Sequence, residues 1–141
     1  METSLNCGIL NLEEDAIRIG FSVRSSVESA KWALYEQLEY LAEFLGCECS
    51  FTGNYPGWQY RADSRLRNIM LEVYEEQYGK KPEITAIHAG LECGIFADRL
   101  GEIDIVSYGP DILDIHTVKE RLDIASVERV WKFTLEVLKR L

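Results

Sequence analysis

Both histidines of the chain lie in two short stretches, Ile87-His88-Ala89-Gly90-Leu91-Glu92-Cys93-Gly94 and Asp114-Ile115-His116-Thr117-Val118-Lys119-Glu120-Arg121-Leu122. Imidazole titrates near neutrality and is a common metal ligand, so either stretch has the residue type for chemistry. His116 is flanked by Asp111, Asp114 and Glu120, carboxylates of the kind that orient the second ring nitrogen of a metal-bound histidine. The same residues also describe a solvated loop histidine, because a zinc site needs three or four ligands and two histidines are too few. His88 ends an apolar run and precedes Gly90 by two residues. A glycine there permits positive φ or close approach of a substrate to the backbone; the plainer alternative is a strand-end histidine before a tight turn. Cys93 has the atom for a thiol nucleophile with a histidine base, but nothing in the sequence puts it in the electropositive setting such a thiol needs. Arg24 closes a strand-like run on its polar face, where a guanidinium either clamps a carboxylate or is simply solvated.

The elements that must position these residues follow from hydrophobic period. Residues 4–12 read as a strand with Leu5, Cys7 and Ile9 alternating. After the turn at Glu13-Glu14-Asp15, Ile17, Ile19, Phe21 and Val23 alternate with Arg18, Gly20, Ser22 and Arg24, which predicts a hairpin with one wet face. Ser25 with Glu28 three residues on reads as a capping box, and Val27, Ala30, Leu34, Leu38, Leu41 and Leu45 form one helical stripe that ends at Gly46. Cys47, Cys49 and Phe51 predict a third strand over residues 47–52. The turn-rich Gly53-Asn54-Tyr55-Pro56-Gly57-Trp58 is the natural boundary.

Beyond it, Asp63 opens a helix marked by Leu66, Ile69, Met70, Val73 and Gln77 and stopped at Gly79. Short apolar strands are predicted at 84–89 and 103–108, with a helix between them at 91–100. A final helix over 125–141 carries Val127, Val130, Trp131, Leu135 and Leu138 on one face. Helix–strand alternation points to an α/β layer. Each half has fewer strands than a self-sufficient sheet, so both look incomplete.

The chain has 141 residues, 47% hydrophobic and 28% charged, the balance of a globular protein. With 24 acidic against 15 basic residues its net charge is −9; such a chain repels phosphate backbones, so no nucleic-acid partner is expected. There is no apolar run of membrane-spanning length and no signal-peptide order at the start, so no membrane partner and a cytoplasmic location are expected. The four cysteines (Cys7, Cys47, Cys49, Cys93) have no C-x-x-C spacing and are expected to be reduced, packed thiols.

Several motifs resemble those of one family. Phe21-Ser22-Val23-Arg24-Ser25-Ser26, Tyr55-Pro56-Gly57-Trp58, Ala86-Ile87-His88-Ala89-Gly90-Leu91-Glu92-Cys93-Gly94, Ser107-Tyr108-Gly109-Pro110 and His116-Thr117-Val118-Lys119-Glu120-Arg121-Leu122 closely resemble, in this order, the C-terminal part of bacterial aminoacyl-histidine dipeptidases. These are Xaa-His (carnosine-cleaving) dipeptidases of the zinc-dependent aminoacylase and carboxypeptidase-like superfamily. The resemblance implies a mixed α/β fold: residues 1–56 as the second half of a ferredoxin-like lid and dimerisation domain, and residues 57–141 as the C-terminal portion of the catalytic domain. It implies His116 as a zinc ligand, with Arg24 and Gly90 as substrate contacts; no catalytic residue lies in this chain. His88 and Glu92 would line the same wall without an assigned role. The family usually has proline where this chain has Val118.

Two zinc ions and a dipeptide substrate belong to the intact family enzyme, and this chain itself is expected to form a homo-oligomer through an exposed sheet edge or the lid surface. The remaining zinc ligands and the general base would lie upstream, so the expectation is a C-terminal fragment that is inactive alone and binds zinc weakly at most. The alternative is a non-catalytic α/β ligand-binding or dimerisation module.

Overall fold

A computed structural model describes residues 1–87 and 92–141. The described residues form four helices and two small antiparallel sheets, a mixed α/β chain as the sequence predicts. They divide into two compact units, Met1–Arg61 with Thr85–Glu102, and Ala62–Ile84 with Ile103–Leu141.

The first unit opens with strands β1 (Thr3–Leu12) and β2 (Ile17–Ser25), paired antiparallel from Thr3↔Ser25 to Leu12↔Ile17. The register shifts between Cys7 and Ile9. Residues directly opposite one another share a face, so Leu5 and Cys7 lie with Val23 and Phe21, and beyond the shift Leu10 and Leu12 lie with Ile19 and Ile17. The extra residue moves Ile9 to the other face, against the simple alternation expected for it. Ile9 sits opposite Gly20, where an added Cβ would fall 3.1 Å from the Ile9 Cβ.

Helix α1 (Glu28–Leu45) follows, with Gly46 left-handed at φ 69° closing it as expected. Its N-cap is Val27, with no side-chain cap. The predicted capping box does not form, because the Ser25 hydroxyl accepts from Val27 N and pairs with Thr3 Oγ1, while Glu28 accepts from Gly57 N. Of the predicted stripe, Val27, Ala30, Leu34 and Leu38 are half-buried, but Leu41 and Leu45 are exposed.

Residues 47–52 are not a strand. A strand exists by its ladder, and this run has none among the described residues; Phe51 stacks instead on Tyr35 of α1, ring centroids 4.7 Å apart. Without a ladder, Cys47 and Cys49 stay exposed, as is Cys7, and Cys93 is only half-buried. The expected packing of the thiols is therefore not found. Helix α3 (Glu92–Leu100) completes the unit.

In the second unit, α2 (Arg65–Tyr78) starts at Ser64, whose hydroxyl accepts from Arg67 N, and stops at left-handed Gly79. Two-residue strands β3 (Ile112–Leu113) and β4 (Arg121–Leu122) pair antiparallel. Helix α4 (Ile124–Leu138) is capped by Asp123, whose carboxylate accepts from Ala125 N and Ser126 N. The core is Met70 and Val73 of α2 against Phe133 and Val137 of α4, with Leu66, Ile69, Tyr74 and Val106 around it.

The predicted α4 stripe is not the buried one. Val127, Trp131, Leu135 and Leu138 are exposed, whereas Ser126, Phe133 and Val137 are buried. The helix carries apolar residues on both faces, and contact with α2 decides which is covered. Residues 103–108 are irregular rather than a strand. They are held by side chains: Asp104 accepts from Ser64 Oγ (2.7 Å) and Leu66 N (2.8 Å), and Tyr108 shares a 2.9 Å hydrogen bond with Thr134. Residues 84–87 are likewise unpaired; the remainder of the strand expected at 84–89 lies outside the described residues.

Candidate functional site

Of the three residues singled out as contacts, Gly90 lies outside the described residues, as does His88. Arg24 belongs to the first unit and His116 to the second.

Arg24 sits opposite Ser4 near the end of β2 and is exposed. Its neighbours along the chain are firmly held. Ser25 is 7% exposed and bonded to Thr3, and Ser26 N donates to Glu2 O. Just beyond them is a knot that the sequence reading did not anticipate. The Lys31 ammonium, 2% exposed, donates to Tyr55 O at 2.7 Å and pairs with Glu28 Oε1 at 2.7 Å. Glu28 Oε2 accepts from Gly57 N at 2.9 Å. Partial burial pushes the Glu28 carboxyl up, but Lys31 and the Gly57 N–H outweigh it and hold it below its usual value. The Tyr55-Pro56-Gly57-Trp58 stretch is thereby tied to the start of α1. The only sequence sign was the Glu28–Lys31 spacing, common to many solvated helix pairs.

Among the described residues nothing around Cys93 activates its thiol. Burial and the neighbouring Glu92 charge push its thiol up, the opposite of what a thiolate needs. Tyr55 lies in the same surroundings; partial burial and the nearby Glu92 and Cys93 raise its phenol.

His116 occupies a loop closed by the β3–β4 pair. Both Asp114 (φ 55°) and His116 (φ 65°) are left-handed without being glycine, a conformation that persists only when the surroundings hold it. Glu120 Oε2 accepts from His116 N at 2.8 Å, Thr117 N and Oγ1 both donate to Asp114 O, and Arg121 grips the Asp114 carboxylate at 3.1 Å. The acids that flank His116 in sequence are thus engaged with backbone and arginine. Val118 is fully exposed. An open cleft of about 500 Å³ lies beside this loop, lined by Pro110, Asp111, Ile112, Leu113, Ile115 and Asp123.

Among the described residues no group of three His, Cys, Asp or Glu side chains could hold a metal ion. No described helix is long and apolar enough to cross a membrane.

No family model matches the chain. It is 37% identical over 141 residues to the cytosol non-specific dipeptidase of Escherichia coli K12, covering 100% of this chain and 29% of that protein. The crystal structure of aminoacylhistidine dipeptidase from Vibrio alginolyticus superposes with a TM-score of 0.86 at 38% identity, covering 99% of this chain and 29% of that one. The chain thus spans under a third of the length of the relatives it matches. The likeness to aminoacyl-histidine dipeptidases holds along its whole length, in sequence and in fold.

Proposed function

We propose that this chain is the C-terminal portion of a cytoplasmic, zinc-dependent dipeptidase acting on Xaa-His dipeptides, and that alone it is inactive. The observation that carries the reading is a match that covers the whole chain and 29% of a dipeptidase. His116 is the metal ligand, held in place by its left-handed turn. Arg24 binds the substrate carboxylate through a charge-assisted, bidentate contact, with the Gly90 backbone as a second substrate contact. Zinc, when bound with ligands from the rest of the protein, supplies a Lewis acid and an activated water; the general base also comes from elsewhere. Residues 1–56 act as the lid and dimerisation half and residues 57–141 as the catalytic half.

Uncovered apolar surface supports a missing remainder. Leu12 and Ile17 on the hairpin are 75% and 67% exposed, and Trp131 and Leu138 on α4 are 62% and 60% exposed. Surfaces of this kind mark interaction sites, and they also favour self-association of the isolated chain.

The test has two arms. Purified chain with added zinc should not hydrolyse β-alanyl-histidine; robust hydrolysis would overturn the fragment reading. In a full-length dipeptidase carrying this segment, His116→Ala should remove zinc and nearly all turnover, and Arg24→Ala should act mainly on substrate use. Normal zinc content and turnover in the His116→Ala protein would refute the ligand assignment.

A further inference from the structure

The deepest-buried charge among the described residues is Lys31, at the junction of three segments. Its ammonium holds Tyr55 O, and its partner Glu28 holds Gly57 N. The backbone comes very close on both sides of this grip. A Cβ on Gly57 would fall 2.9 Å from Ser26 O and 3.3 Å from Ser25 O, and a Cβ on Gly94 of α3 would fall 2.6 Å from Pro56 O. The two residues that follow Arg24 therefore form the surface on which Gly57 rests, and Pro56 forms the surface on which α3 rests.

A pair with only its lysine buried and its carboxylate half-exposed adds little to stability, since solvent weakens the attraction. A long ammonium is well suited, however, to fixing one carbonyl at one distance. We propose that Lys31 and Glu28 are positioning residues for Arg24. They lock the Tyr55-Pro56-Gly57-Trp58 crossing between the end of β2 and α3, and so set where the Arg24 guanidinium meets a substrate carboxylate. This rests on the reading of Arg24 as the carboxylate contact.

Lys31→Met keeps length and removes the charge, and because the remaining Glu28 carboxylate is half-exposed no buried charge is left unpaired, so the unit should stay folded. In the isolated chain, exchange of the Gly57 amide should speed up about tenfold or more in Lys31→Met, the scale of losing a charge-assisted bond. Lys31→Arg should retain most of the protection, and Glu28→Gln should lose part of it. In a full-length dipeptidase carrying this segment, Lys31→Met should raise KM by about tenfold with kcat within about twofold, the split expected when binding rather than chemistry is damaged. Lys31→Arg should restore KM.

Equal Gly57 exchange in wild type and Lys31→Met would overturn the clamp. A raised KM in Arg24→Ala with a normal KM in Lys31→Met would overturn this inference and leave the substrate reading standing. A normal KM in Arg24→Ala would overturn the substrate reading and the positioning role together, even if the exchange result holds.

Discussion

The two units bury different chemistry. The second has an apolar centre, Met70, Val73, Phe133 and Val137, with Val73 at 0% exposed. Its helices are capped by Ser64 and Asp123, and their far ends are joined by Arg140 on Glu76. Among the described residues of the first unit the buried side chains are Ser25 and Lys31, while its apolar residues on the hairpin and outer α1 stay open to solvent. One unit holds its helices by hydrophobic contact. The other holds a backbone crossing by polar contact and leaves the apolar residues of its hairpin exposed, as the second unit leaves Trp131 and Leu138 of α4. The contrast suits a chain in which the second unit is anchored from within and the first is shaped around a position.

The same truncation in each unit should separate them most. Phe133→Ala, at a site 6% exposed, should cost about 3 kcal/mol or more in urea unfolding, through lost burial and the cavity left behind. Phe21→Ala, at a site 44% exposed on the hairpin, should cost about 1 kcal/mol or less, since little surface leaves water there. Comparable losses would erase the distinction between the units.

A smaller effect sharpens the picture of the second unit. Ser64→Ala removes both the N-cap of α2 and a partner of Asp104, and should cost about 1 kcal/mol. Faster exchange of the Leu66 and Arg67 amides would locate that loss.

The smallest expected effect concerns pH. The folded Glu28 carboxyl lies below its ordinary value, so its contribution is complete above the unfolded carboxylate value and fades as pH falls through the lower folded one. In wild type the Gly57 amide should lose protection on acidification through that window, whereas Glu28→Gln should be flat there. A half-exposed pair is weakened by solvent, so the change is local rather than global unfolding.

The hairpin, α2 and its Gly79 stop, α3, and the existence of α4 were legible because each rests on local period and terminal chemistry. The run at 47–52 alternates as a strand does and the run at 103–108 is apolar as a buried strand is, yet neither forms one. Pairing needs a partner, and alternation does not contain one. The thiols at Cys47 and Cys49 followed that misreading. His116 and Arg24 stand out in the sequence by residue type and motif. The left-handed turn at His116, with its N–H held by the Glu120 carboxylate, was not legible, since the contact brings back a side chain from four residues on. Lys31 was passed over because lysine on a helix is ordinarily solvated.

Sequence by itself determined where the chain turns, where its helices begin and end to within a few residues, and which motifs it shares with the dipeptidases, because these depend on neighbours along the chain. Tertiary structure alone decided which of two apolar faces of α4 is buried, that the Cys7/Ile9 shift flips Ile9, and that Lys31 is the charge enclosed. Each of these is settled by what packs across from a residue, and the energy of burial belongs to both partners rather than to either sequence segment.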